Sequence, residues 1–291
     1  MRQVREIYRA NSRHWVGDGF WVQPLFSHMG EDRGTDPFLM LDYAAPYNFA
    51  PNERRHPRGV GQHPHKGFET VTIAYHGEVA HRDSAGGGGV IKEGDVQWMT
   101  AGAGIIHEEF HSEAFSQSGG LFEMVQLWVN LPAKDKNVPA HYQHLAKENI
   151  PVVALADDAG HVRLIAGEYA GVAGAARTYT EMNVWDGVLK AGHEAVLAVP
   201  ESHTLSLVVL RGRVRFNGKE EAAAGQLVGF EHSGGEVQLA AVGDEEVKFL
   251  LLSGVPIAEP VVGYGPFVMN SAEEIHQAIN DFNSGRFGQI A

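Results

Sequence analysis

Two short pairs of residues in this chain could do chemistry: His63-Pro64-His65, and further on His107-Glu108-Glu109. Each places two potential metal ligands at positions i and i+2. On a β-strand such a pair projects both side chains to one face. If the two strands lie close and face inward, three imidazoles and one carboxylate converge on a point. That donor set suits one divalent transition metal: iron, manganese, cobalt, nickel or copper. A structural zinc site, usually closed by four protein ligands and often by thiolates, fits less well.

The chain has 16 histidines, so unrelated neighbours must be expected among them. His14, His141, His144, His161, His203, His232 and His276 have no patterned partner and read as structural or solvated. Spacing also leaves out His76, His81 and His111. The carboxylate is less settled. His63, His65, Gly67 and Glu69 share one parity, so on a single continuous strand Glu69 would compete with Glu109.

The elements that must position these pairs read as short strands joined by glycine turns. There are 35 glycines, and the runs 68–75, 96–99 and 121–131 are rich in β-branched, aromatic or alternating apolar residues. Gly86 to Gly89 lacks the Lys-Ser/Thr of a phosphate-binding loop and reads as a hairpin connection. The rhythm partly repeats from about residue 145. Residues 204–210, 214–216, 225–230 and 249–252 read as strands, with Asn217-Gly218 as a hairpin turn. Ser271-Ala272-Glu273-Glu274 opens a helix by a capping box, and Ile275, Ala278, Ile279 and Phe282 follow at helical spacing.

Length and composition, 291 residues with 44% hydrophobic and 20% charged, describe an ordinary globular chain. The formal charge of −13 opposes binding to a phosphate backbone, so no direct nucleic-acid partner is expected. Absence of cysteine excludes disulfides, thiol redox catalysis and iron–sulfur ligation, and fits a reducing compartment. No run approaches the roughly 20 apolar residues that span a bilayer. Residues 1–20 lack the apolar core of a signal peptide. The expectation is a soluble, cytoplasmic protein with no membrane partner.

The residues from His63 to Val71 (HPHKGFETV) and from Gly94 to Glu109 (GDVQWMTAGAGIIHEE) closely resemble the pirin family of the cupin superfamily. Asp36-Pro37-Phe38-Leu39, residues 126–131 and Gly265 to Asn270 extend the resemblance over most of the chain. It implies an all-β fold of two cupin (jelly-roll-like) β-barrels packed face to face, with a C-terminal α-helix. It also implies a metal-binding N-terminal domain over 1–140 and a metal-free C-terminal domain over 141–291 that ends in the helix. Carried over by position, the family's ligands fall on His63, His65, His107 and Glu109, with iron(II) the usual metal. The general cupin pattern would instead use Glu69, and would place the second histidine closer to Gly102, so the chain follows the pirin variant. The second half offers His193 and His203 but no His-x-His pair.

Some pirins resemble quercetinases, which open flavonols with dioxygen and release carbon monoxide. The implied partners are then a small polyphenol and O2. Glu109 is the expected catalytic base, taking the flavonol hydroxyl proton if its bond to the metal loosens. Phe68, Trp98 and Phe110 are candidate ring-stacking residues whose simpler role is barrel core, and parity sets Phe68 and Phe110 against the ligand series. A different expectation from the same resemblance is a regulatory protein whose metal and redox state govern binding to a protein partner without turnover.

Overall fold

The computed structural model describes residues 1–52 and 56–290. The chain divides into two compact units. One comprises residues 12–31, 38–147 and 258–291; the other comprises residues 1–11, 32–37 and 148–257.

The first unit holds a seven-stranded sheet in the order His141–Leu145, Val96–Thr100, Phe68–His76, Gly120–Asn130, Phe38–Phe49, Phe20–Ser27, His14–Val16. A four-stranded sheet runs Gly59–His65, Ile105–His111, Val79–Asp83, Gly88–Ile91. Pairing is antiparallel throughout both sheets. Phe20, Val22, Ala74, Phe122 and Met124 from the larger sheet meet Val79 and Ile91 from the smaller in one apolar core. That arrangement is a cupin barrel, in which two sheets bury one face each against the other.

The second unit repeats the plan. Its seven-stranded sheet runs Val4–Arg9, Gln226–Phe230, Thr204–Arg211, Val247–Gly254, Met182–Leu189, Gly160–Ala166, Val152–Ala154. Its four-stranded sheet runs Glu194–Ala198, Glu236–Ala241, Arg213–Phe216, Glu220–Ala223. Asn217 and Gly218 both take positive φ, +49° and +71°, and turn the Arg213–Phe216 hairpin.

Two features redraw the division expected at residue 140. The N-terminal strand Val4–Arg9 pairs with Gln226–Phe230, so it belongs to the C-terminal barrel. Buried Arg2 anchors it by donating to the carbonyls of Gly234, His203 and Pro200 at 2.7, 2.7 and 2.9 Å. The tail goes the other way. Ser271 and Glu274 form the capping box of helix Ala272–Asn283, whose Ile275 and Ala278 pack on Phe267, Met269 and Phe287 in the first unit. Buried Lys136 binds the tail there, its Nζ donating to the carbonyls of Gly67 and Val268 at 2.8 and 2.9 Å. Three such ion–dipole bonds, counting Asn130 Oδ1 at 2.9 Å, give a buried ammonium its partners. Among the described residues no helix is long and apolar enough to cross a membrane.

Candidate metal centre

The first ligand pair sits at the end of strand Gly59–His65 and the second within Ile105–His111, neighbours in the four-stranded sheet. His107 lies directly opposite His63 in the register, and Ile105 lies opposite His65. Beyond His107 the register slips: Glu109 faces Val60, so Gly61 and Gln62 together oppose Glu108. This β-bulge re-aims the strand beside the site. The Gly61 carbonyl then lies 2.8 Å from Nδ1 of His63, which leaves the His63 Nε2 edge for another partner.

Donor atoms of His63, His65 and His107 all lie within 4.8 Å of one another. Nδ1 of His65 and Nε2 of His107 are buried and without a hydrogen-bond partner. Orphaned buried nitrogens are costly unless something outside the protein binds them. The remaining nitrogens are occupied. His65 hydrogen-bonds the Pro266 carbonyl from the tail, and Nδ1 of His107 lies 3.4 Å from Nδ1 of His81. Burial first, and the crowding of His63 second, hold His65 well below the usual imidazole range. Burial, then His65, His63 and His81, do the same for His107. Both rings are therefore neutral at physiological pH, the form that ligates metal.

His81, which spacing left out, joins a second donor group with His107 and Glu109 within the same 4.8 Å limit. It is 1% exposed, lies opposite Glu109 in the register and stacks on Tyr142 at 4.9 Å between ring centres. Its Nε2 lies 3.0 Å from Asp83 Oδ2. Burial disfavours the Asp83 anion, but the His81 bond and the backbone amides of Gly87 and Ala85 outweigh it and lower its pKa. With Asp83 as the anion, the tautomer that matches these contacts carries a proton on His81 Nε2 and has His81 Nδ1 accepting from His107 Nδ1–H. His107 Nε2 is left with its lone pair outward. A carboxylate–histidine chain behind a ligating histidine is how proteins set ligand tautomer and basicity.

Glu109 is 6% exposed, and its Oε1 accepts from the side-chain amide of Gln97. Thr72 Oγ1 lies 3.1 Å from the same oxygen. Glu69 belongs to neither donor group. It is fully buried and accepts from Thr100 Oγ1 at 2.7 Å, and burial pushes its carboxyl up to about 7. The single strand expected from His63 to Glu69 is broken. It ends at His65, and the next begins at Phe68 in the other sheet. Gly67 makes the break, with φ +88° and a backbone so close to Val268 that a Cβ would meet that carbonyl at 2.1 Å.

The site opens on a cavity of ≈290 Å³ lined by His63, His65, Glu109 and largely apolar walls including Phe20, Val60 and Trp128. The expected aromatics are not its lining residues. Trp98 and Phe68 are fully buried; Phe68 packs on Trp128 at 4.3 Å. His111 also stands apart, in a cage of Phe20, Phe49, Phe115 and Phe122 with Nε2 on the Gly19 carbonyl at 2.8 Å.

Comparison with known proteins identifies the family. The Pirin family model matches residues 19–129, and that of the Pirin C-terminal cupin domain matches residues 184–288. The chain belongs to the pirin family. A Pseudomonas aeruginosa relative named "Putative quercetin 2,3-dioxygenase" is 53% identical over 99% of each chain. A crystal structure of quercetin 2,3-dioxygenase from Acinetobacter baumannii superposes with a TM-score of 0.95 at 54% identity, covering 100% of both chains. A bacterial pirin from Escherichia coli in complex with nickel(II) shares the fold, with a TM-score of 0.64 at 18% identity over 86% of this chain and 100% of that one.

The second barrel has a four-stranded sheet of the same strand plan. In its four-stranded sheet Leu239 pairs with Ala195 and Val237 with Leu197, as His107 pairs with His63 and Ile105 with His65. Ala195, Leu197 and Leu239 are all three buried in an apolar core. His193 bonds a backbone carbonyl, and buried His203 lies 3.3 Å from both Ser253 Oγ and Glu181 Oε1.

Proposed function

We propose that this pirin is a metal-dependent dioxygenase of the quercetinase type, opening flavonol-like polyphenols with O2 and releasing carbon monoxide. One observation carries the reading: unpartnered nitrogens of neutral His65 and His107 meet His63 beside a cavity whose other walls are largely apolar. The relatives named for this activity, matched over essentially the whole chain, support it.

The proposed ligands are His63, His65, His107 and Glu109, holding one divalent metal, iron(II) first, with manganese, cobalt, nickel or copper as alternatives. When bound, such a metal supplies Lewis acidity toward a ligand hydroxyl and a redox partner for dioxygen. The protein supplies the rest. The Gly61 carbonyl, the Pro266 carbonyl and His81 each fix one imidazole. Gln97 and Thr72 hold Glu109 by one oxygen. Phe20 and Trp128 offer aromatic faces to a planar ring, and the apolar wall excludes bulk water.

The test is oxygen uptake and carbon monoxide release from quercetin by metal-loaded protein. His107→Ala and Glu109→Ala lose metal and turnover together, whereas His276→Ala, on the exposed face of the C-terminal helix, keeps both. Full quercetin turnover in the two site variants would show the reading to be wrong.

A further inference from the structure

We propose that Asp42, and not Glu109, is the proton acceptor for the ligand hydroxyl in this cavity. The substrate class, a hydroxylated aromatic, is taken from the reading above. Asp42 lies within strand Phe38–Phe49, on the inner face of the seven-stranded sheet, and lines the cavity with Val16, Phe20, Val22 and Val60. It is 8% exposed. Among the described residues no donor hydrogen-bonds its carboxylate, an arrangement that costs stability in an apolar wall and needs a reason.

The surroundings make the contrast with Glu109. Asp42, Gln126, Thr72 and Gln97 sit in register on four adjacent strands. Thr72 Oγ1 lies 3.0 Å from Gln126 Oε1, and Gln97 Nε2 donates to Thr72 Oγ1 at 3.1 Å. This polar row bonds within itself and to Glu109, and stops short of Asp42. Oε1 of Glu109 is taken by Gln97 and Thr72, and Glu109 is itself a proposed ligand. Asp42 has both oxygens available to a ligand.

The charged and titratable groups around Asp42 are His14 from the edge strand, and His63, His65 and Glu109 lining the same cavity from the facing sheet. Burial, opposed by His14, pushes the Asp42 carboxyl up to about 6. A base of that strength is ionised at neutral pH yet readily protonated. In the step itself the ligand O–H bond breaks, its electron pair stays on the ligand oxygen, and the proton goes to a carboxylate oxygen of Asp42. The neutral acid that results suits the apolar wall better than the anion did.

The experiment uses zinc-loaded protein without oxygen, with nitrocatechol as a probe whose colour reports its ionisation, followed by aerobic quercetin turnover with the active metal. Wild type binds the probe as its anion at pH 7. Asp42→Asn keeps its metal but raises the apparent pKa of the bound probe by about one unit or more, and turnover falls roughly a hundredfold. Asp42→Glu recovers part of both. Unchanged probe colour and turnover in Asp42→Asn overturn the assignment, as does loss of its metal, or a wild type that binds the probe protonated. If the colour change depends on Asp42 but no flavonol consumes oxygen, the base stands and the dioxygenase reading falls.

Discussion

His107 and His81 face each other nitrogen to nitrogen, Nδ1 to Nδ1 at 3.4 Å, and the pair ends on Asp83 at 3.0 Å from His81 Nε2. Two imidazoles can share a proton this way only if each is in one tautomer, and Asp83 chooses it. The chain therefore leaves Nε2 of His107 as the nitrogen open to a proposed metal. Replacing His81 by Ala, or Asp83 by Asn, should weaken metal binding by roughly 10–100-fold without removing a ligand. Competition against a chromophoric chelator measures this. Unaltered affinity in both variants would mean the tautomer is set elsewhere.

The hold on Glu109 makes a smaller prediction. Gln97 and Thr72 reach it from the opposite sheet, and both are fully buried. Gln97→Leu leaves the carboxylate oxygen short of a donor, which costs on the order of 1–3 kcal/mol in a buried setting. Metal affinity should fall about tenfold in the chelator titration. Thr72→Ser, which keeps the hydroxyl, should sit near wild type, and Thr72→Val should not.

The pairs His63/His65 and His107/Glu109 were legible as same-face pairs because their geometry is local: i and i+2 on a strand share a face whatever the rest of the fold does. The strand runs and the capping box of helix Ala272–Asn283 were legible for the same reason. What escaped depends on register between distant strands. His81 reaches the site by pairing opposite Glu109, 28 positions later. Asp42 faces it through Gln126 on the next strand. Neither relation leaves a mark in either segment alone. The parity count from His63 to Glu69 failed at Gly67, where a left-handed residue ended one strand and reset the alternation. Phe20 and Trp128 were overlooked in favour of Phe68, Trp98 and Phe110, of which Phe68 and Trp98 are core.

Glu69 gives a pH test that is independent of metal. Burial raises its carboxyl from 4.5 to about 7. Between those values the folded protein keeps a proton that the unfolded chain has released. Stability from this group is thus complete below about pH 4.5 and is lost as pH rises toward 7, at roughly 1.4 kcal/mol per pH unit. Glu69→Gln cannot titrate. Denaturant unfolding of metal-free protein should show the variant gaining on wild type by up to roughly 3 kcal/mol between pH 4.5 and 8. Parallel stability–pH curves for the two proteins would contradict a protonated Glu69.

Cavity and metal can be separated by filling the one without touching the other. Met40 lines the ≈290 Å³ space but contributes no donor to either histidine group. Its side chain is half-buried, on the strand that also carries Asp42, so a larger ring there would project into room meant for a ligand. Met40→Trp should keep one metal equivalent while flavonol binding and turnover drop at least tenfold. A variant that bound metal and still turned over quercetin at the wild-type rate would place the substrate outside this cavity. Metal loss alone would not produce the expected pattern, because elemental analysis of the same preparation reads the ion directly. The ratio of the two losses thus says whether the apolar wall contributes binding in its own right or only shelters the ligands.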